Sequence, residues 1–198
     1  MKYVAHLSKD KKLAKIIQES FPVLENKKDT AHLLIASIIS QQLSTKVAAI
    51  IQQRFLSLYN GKNPKLQLVI DTPFNVLRKI GLSNAKVGYV QNVAQFFIDN
   101  KITDKQLQKM SNNEIVELLT QIKGVGKWTC EMLLMFALGR EDVFAVDDLG
   151  IKTAMIKMYK LEELDKKIVK QKMISISEKW SPYKTYACLH LWRWKDDK

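Results

Sequence analysis

The sequence predicts an all-α protein of two helical lobes with a cleft between them, a single compact bundle being the alternative. Three observations carry this. Apolar residues recur at helical spacing along most of the chain. No stretch alternates apolar and polar residues over enough positions to argue for a sheet. Glycine and proline are few, seven and four in 198 residues. The length suffices for one large domain or two small ones and for a buried core. We expect one domain over 1–198, with a middle lobe over roughly 30–110 and the other lobe formed by 1–29 with 111–198.

Taken in order, SKDKKLAKIIQES (8–20) reads as a short helix capped by Ser8 and ended by Phe21-Pro22. Asp29 or Thr30 caps a strongly apolar helix, AHLLIASIIS (31–40). Gln41-Gln42-Leu43-Ser44 joins it to a helix over 45–60, and the chain then loosens through GKNPK. A helix over 73–80 ends at Gly81, a C-cap. Ser83 starts the next, with Val87, Val90, Val93, Phe96 and Phe97 on one face. DKQLQKM leads to Ser111, which caps the helix after it. Beyond Asp148 come helices in GIKTAMIKMY, EELDKKIVKQKMISISEKW and YKTYACLHLWRW, about ten helices in all.

Apolar content of 46% with 26% charged residues places the chain among globular proteins. No run of ~18 apolar residues argues for a membrane span, and the charged N-terminal stretch lacks a signal-peptide core. The two cysteines, Cys130 and Cys188, sit among apolar residues at helical spacing and read as buried free thiols, which fits a reducing cytoplasm. A net charge of +12 makes nucleic acid the first partner to consider. Lysine-rich compositional drift explains the charge equally well.

The chain is organised around residues 112–155. Ile115, Val116, Leu118, Leu119 and Ile122 mark a helix, Lys123-Gly124-Val125-Gly126-Lys127 a tight turn, and Trp128 to Leu138 a second helix. The first N–H groups of that second helix have no internal partner. Together with the helix dipole, Lys123 and Lys127 they make a site for a phosphate. After the run Val143-Phe144-Ala145-Val146, Asp147 and Asp148 open another helix.

GVGKWT followed by VDDLGIK at this spacing resembles the helix-hairpin-helix DNA glycosylases. The resemblance extends over about 30–194 and implies that family's fold. Lys123, Gly124, Val125, Gly126 and Lys127 would bind the DNA backbone, and Asp148 would be catalytic. Asp147 would be a helix cap or the alternative catalytic residue. A monovalent cation would sit on the carbonyls of Thr120, Ile122 and Val125. In IASIISQQLSTKVA (35–48), Gln42 looks like the wedge that fills the stack when a nucleotide is extruded, with Gln41 and Leu43 beside it. Two helix caps are the plainer reading of that pair of glutamines. In IGLSNAKVGYVQNVA, Ser83 and Lys86 would touch phosphates.

WSPYKTYACLHLWRW is similar to the C-terminal signature of the 3-methyladenine DNA glycosylase II branch. It matches at Trp180, Pro182, Tyr183, Lys184, Thr185, Tyr186, Ala187, His190, Leu191 and Trp192. Trp128, Met132 and Trp192 would line the base pocket, where aromatic faces favour a cationic methylated purine. Met132 departs from the branch, whose best-known members carry an aromatic residue there. Strand-cutting relatives carry a lysine where this chain has Trp128, so the expected nucleophile is water. Lys127 is about 100° of helix away from that direction.

The resemblance implies a monofunctional glycosylase that hydrolyses the N-glycosidic bond of alkylated purines such as 3-methyladenine in double-stranded DNA. It is expected to be a monomer, cytoplasmic or nuclear, with no membrane partner. No cofactor is required. Two cysteines cannot ligate an iron–sulfur cluster. A glycosylase for another damaged base, or a non-catalytic DNA-binding module, are the alternatives.

Overall fold

A computed structural model describes residues 1–197. Among them are twelve α-helices and one 3-10 turn, and no strand. The chain forms two compact units, residues 27–133 and residues 1–26 with 134–198.

The middle unit contains α2 (Thr30–Ser40), α3 (Thr45–Ser57), α4 (Leu66–Asp71), α5 (Phe74–Lys79), α6 (Asn84–Asp99), α7 (Asp104–Lys109) and α8 (Asn112–Leu119). Helix α2 is apolar almost all round. It lies at the centre, with Leu34, Ile35, Ile38 and Ile39 fully buried against α3 and α6. Helix α6 presents Val87, Val90, Val93, Ala94 and Phe97 to this core, and α4 and α5 pack on it. The sequence gives no warning of α4, which occupies the stretch after GKNPK. The N-cap of α2 also differs from expectation. Asp29 stands at the cap in the left-handed region (φ 74) without a side-chain cap bond. The carboxylate of Asp104 instead accepts from the N–H groups of Asp29 (2.7 Å) and Thr30 (2.9 Å). Helix α8 begins on a full capping box between Ser111 and Glu114.

The terminal unit contains α1 (Lys2–Leu7), α10 (Leu149–Tyr159), α11 (Lys166–Glu178) and α12 (Lys184–Asp196). Helix α9 (Lys127–Phe136) begins in the middle unit and its last residues belong to the terminal one. The helix expected over 8–20 does not form. A helix ends at Leu7 with Ser8 as its C-cap, and only a 3-10 turn follows over Leu13–Ile16. The reason is Asp10, whose Oδ1 accepts from the N–H groups of Lys12 (3.0 Å) and Leu13 (3.3 Å) and competes with helical bonding. Its Oδ2 accepts from Tyr159 Oη (2.6 Å) and Trp180 Nε1 (3.1 Å) and pairs with Lys179 Nζ (3.0 Å). This buried carboxylate therefore ties the N-terminal segment to α10 and to the C-terminal signature.

Both cysteines are buried and neither is in a disulfide, and burial beside Glu131 pushes the Cys130 thiol up to about 12. No helix of the described residues is long and apolar enough to cross a membrane.

Candidate active site and nucleic-acid interface

The site residues read from the sequence fall into two groups, one in each unit. In the middle unit the turn 123–126 brings Lys123 to Lys127 together. Gly124 has φ +103, and a Cβ there would lie 2.2–2.6 Å from the Tyr89 ring. Only glycine fits, both for backbone conformation and because Tyr89 packs against it. Gly126 has no positive φ, and a Cβ there would meet nothing within 4 Å. The chain itself therefore has no use for glycine at 126, and the bare backbone faces open space. The Val125 N–H donates to the Ile122 carbonyl (3.0 Å), and Asn92 Nδ2 donates to the Lys123 carbonyl (3.3 Å). These bonds and the Tyr89 contact explain why 112–126 belongs with the middle unit rather than beginning the other lobe near 111. Lys127 is exposed and stands 3.7 Å from the buried Glu131. Trp128 is 39% exposed and Met132 half-buried.

The link between α2 and α3 is held at residue 41. Gln41 Nε2 donates to Thr129 Oγ1 (3.2 Å). The next residue, Gln42, is exposed with φ 58. A left-handed non-glycine residue costs on the order of 1 kcal/mol. Leu43 is half-buried, its N–H donating to Ser40 O (3.2 Å). Ser83 Oγ accepts from the Lys86 N–H (3.2 Å) and so caps α6. Lys86, expected at a phosphate, gives two of its three N–H donors to the carbonyls of Ile39 (2.9 Å) and Gln41 (2.5 Å).

In the terminal unit Asp148 is the N-cap of α10, Oδ1 accepting from the Ile151 N–H at 2.9 Å. The same oxygen accepts from Trp192 Nε1 at 2.8 Å. Helix capping was expected of Asp147, and here the sequence reading is corrected. Asp147 points outward and Lys170 Nζ binds both its oxygens, at 2.6 and 2.8 Å. The backbone reason is that Asp148, one residue before Leu149, has the extended conformation of a cap (φ −66, ψ 129). Gly150 lets the indole approach. A Cβ there would lie 2.9 Å from Trp192 Cδ1 and 3.1 Å from Asp148 Oδ1. Phe136, 42% exposed, has its ring centroid 5.9 Å from that of Trp192 at an interplanar angle of 33°.

The rest of the C-terminal signature builds core. Trp180 and Tyr186 are buried, and His190 lies against Phe21 with ring centroids 4.8 Å apart. Burial and the nearby Arg193 pull His190 down to about 4, so it is neutral at pH 7. The sequence reading overlooked Tyr89, Asn92, Thr129, Phe136, Gly150 and Lys170. A polar stripe at positions 86, 89 and 92 was its one readable signal among these.

A family model described as HhH-GPD superfamily base excision DNA repair protein matches residues 35–179. The chain is 36% identical to DNA-3-methyladenine glycosylase 1 of Schizosaccharomyces pombe over 92% of its own length and 80% of that protein. The structure of the S. pombe 3-methyladenine DNA glycosylase in complex with abasic DNA superposes with TM-score 0.84 at 34% identity, covering 98% of this chain and 96% of that one. A DNA-3-methyladenine glycosidase from Bacillus halodurans superposes with TM-score 0.84 at 32% identity, covering 98% and 89%.

Proposed function

Because this chain belongs to the HhH-GPD superfamily of base excision DNA repair proteins, we propose that it is a monofunctional DNA-3-methyladenine glycosylase. It hydrolyses the N-glycosidic bond of alkylated purines in duplex DNA and leaves an abasic site. The observation that carries this reading is the Asp148 carboxylate, set at the head of α10 by the Ile151 N–H and the Trp192 indole.

Departure of the purine leaves oxocarbenium-like charge on the sugar. A fixed carboxylate facing that carbon stabilises it without reorganising during the reaction. The C1′–N bond breaks with its electrons going to the base, so an N-alkylated cationic purine leaves as a neutral molecule and needs no strong general acid. Water supplies hydroxide to C1′ and its proton goes to solvent. Trp192 offers a ring face to the cationic base. Trp128 and Met132 keep the base-contacting role that the resemblance implies. Asp147, engaged by Lys170, takes no part.

Gln42 is the wedge, with Leu43 beside it. The hairpin binds a phosphate on the N–H groups that open α9, where the side-chain-free Gly126 permits close approach. A monovalent cation on the carbonyls of Thr120, Ile122 and Val125 belongs to the same reading. The Ile122 oxygen has accepted one hydrogen bond and keeps a lone pair. The enzyme works as a monomer without an iron–sulfur cluster.

A Schiff base needs an amine near the sugar carbon, and position 128 holds an indole. The test is release of free base from methylated DNA, run on a gel with and without alkali, with borohydride trapping. We expect base release, strand breaks only after alkali, and no trapped adduct. Breaks without alkali and an adduct lost in Lys127→Ala would overturn the monofunctional assignment.

A further inference from the structure

The last carbonyls of α2 have no partner inside the helix. Two acceptors at that end, Ile39 O and Gln41 O, meet one ammonium, that of Lys86, at 2.9 and 2.5 Å. An ammonium also suits the negative end of the α2 dipole. Lys86 itself cannot wander. Its own N–H is fixed by Ser83 Oγ in the first turn of α6, and Val87 beside it is fully buried in the core. Residue 41 is thus gripped twice, by Lys86 at its carbonyl and by Thr129 at its side-chain amide. The exposed Gln42 that follows is in the left-handed region, which a non-glycine residue keeps only where its surroundings impose it. Farther along α6, at three-residue steps, Tyr89 packs under Gly124 and Asn92 holds the Lys123 carbonyl. Residues three apart share a helix face, so one face of α6 braces both the 41–43 loop and the hairpin.

We propose that Lys86 is a positioning residue that clamps the 41–43 loop through its backbone and presents Gln42 in a fixed conformation, rather than a contact to DNA phosphate. This rests on the reading of Gln42 as the wedge. Losing the ammonium frees the carbonyls of residues 39 and 41, and Gln42 relaxes toward ordinary backbone angles. Base opening then suffers while the electrostatic grip on the backbone does not.

The test uses the full chain with Lys86→Met, and with Lys86→Arg as the conservative variant. Without DNA, hydrogen exchange is read at the Gln41 and Leu43 amides, which donate to Ser37 O and Ser40 O. We expect exchange about tenfold faster in Lys86→Met and largely restored in Lys86→Arg. With methylated DNA, single-turnover base release at saturating enzyme should fall about tenfold. The slope of log affinity against log salt should stay as in the wild type. Unchanged exchange at both amides would overturn the clamp. So would a slope smaller by about 0.9, the signature of one lost phosphate contact, with unchanged release at saturation. If Lys86→Met does not fold, the shorter neutral Lys86→Gln replaces it under the same criteria. A wild-type protein that releases no base, while the variant still exchanges faster, would refute the proposed function and support the clamp.

Discussion

In the middle unit, the residues assigned to DNA are held through backbone atoms. Lys86 grips two carbonyls, Asn92 a third, and Tyr89 packs where Gly124 has no side chain. In the terminal unit, the aspartates are each met by other side chains, among them Asp148, the one assigned to chemistry. Trp192 holds Asp148, Lys170 holds Asp147, and Tyr159, Trp180 and Lys179 converge on Asp10. The difference follows from the tasks. A phosphate is met by peptide N–H groups, so the chain must present bare backbone in a fixed shape. A developing cation is met by a carboxylate, so a side chain must be aimed. Substitutions should therefore act differently in the two units.

The largest effect is expected at Asp148. Asp148→Asn can still cap α10, so the fold should persist. Base release should fall by about 10² to 10³, the scale for losing one preorganised electrostatic group. Asp147→Asn should stay near the wild type. Single-turnover rates on methylated DNA decide it, and the reverse pattern would exchange the two roles.

The hairpin glycines divide stability from binding. Gly124→Ala meets both a forbidden φ and the Tyr89 ring, and should destabilise the protein by about 2–3 kcal/mol. Gly126→Ala should leave urea unfolding unchanged yet weaken DNA binding several-fold. Equal loss of stability in both variants would remove the argument that Gly126 is bare for a ligand's sake.

Acid should loosen the terminal unit through Asp10. Burial raises its carboxyl, but the bonds from Tyr159, Trp180, Lys179 and the Lys12 N–H outweigh burial and lower it from 3.8 to about 2. A depressed folded-state value means stability that is present above the unfolded value of 3.8 and lost as pH falls toward 2. The amount is about 2 kcal/mol, by the conversion of a pKa shift to free energy. In the middle unit Asp104 acts in the same direction. Burial raises it, and the bonds from Thr30 and Asp29 more than offset that. Unfolding between pH 5 and pH 2 should therefore be shallower in Asp10→Asn than in the wild type, and parallel curves would refute the link.

A further effect is expected at the brace behind Asp148. Trp192→Phe keeps a ring and loses the indole N–H. Release should fall about tenfold with DNA affinity unchanged. Gly150→Ala, which crowds the same indole, should act in the same direction. A Trp192→Phe enzyme of full activity would leave the ring face as the only role of Trp192.

The sequence by itself determined the helical class and most helix starts, because apolar periodicity and side-chain caps such as Ser83 and Ser111 are local. It also determined the family, because GVGKWT and VDDLGIK are contiguous. It did not show α4, the failed helix at 8–20, or that Asp148 rather than Asp147 caps α10. The N-terminus of α2, the setting of Asp148 and the setting of Asp10 were decided by partners far away in the chain. Asp104 caps a helix 75 residues before it, Trp192 meets an aspartate 44 residues back, and Tyr159 and Trp180 reach Asp10 across 149 and 170 residues. Lys86 differs again, for its acceptors are carbonyls, which every residue has and no sequence distinguishes. Only the packing of α2 on α6 decides which carbonyls meet the ammonium.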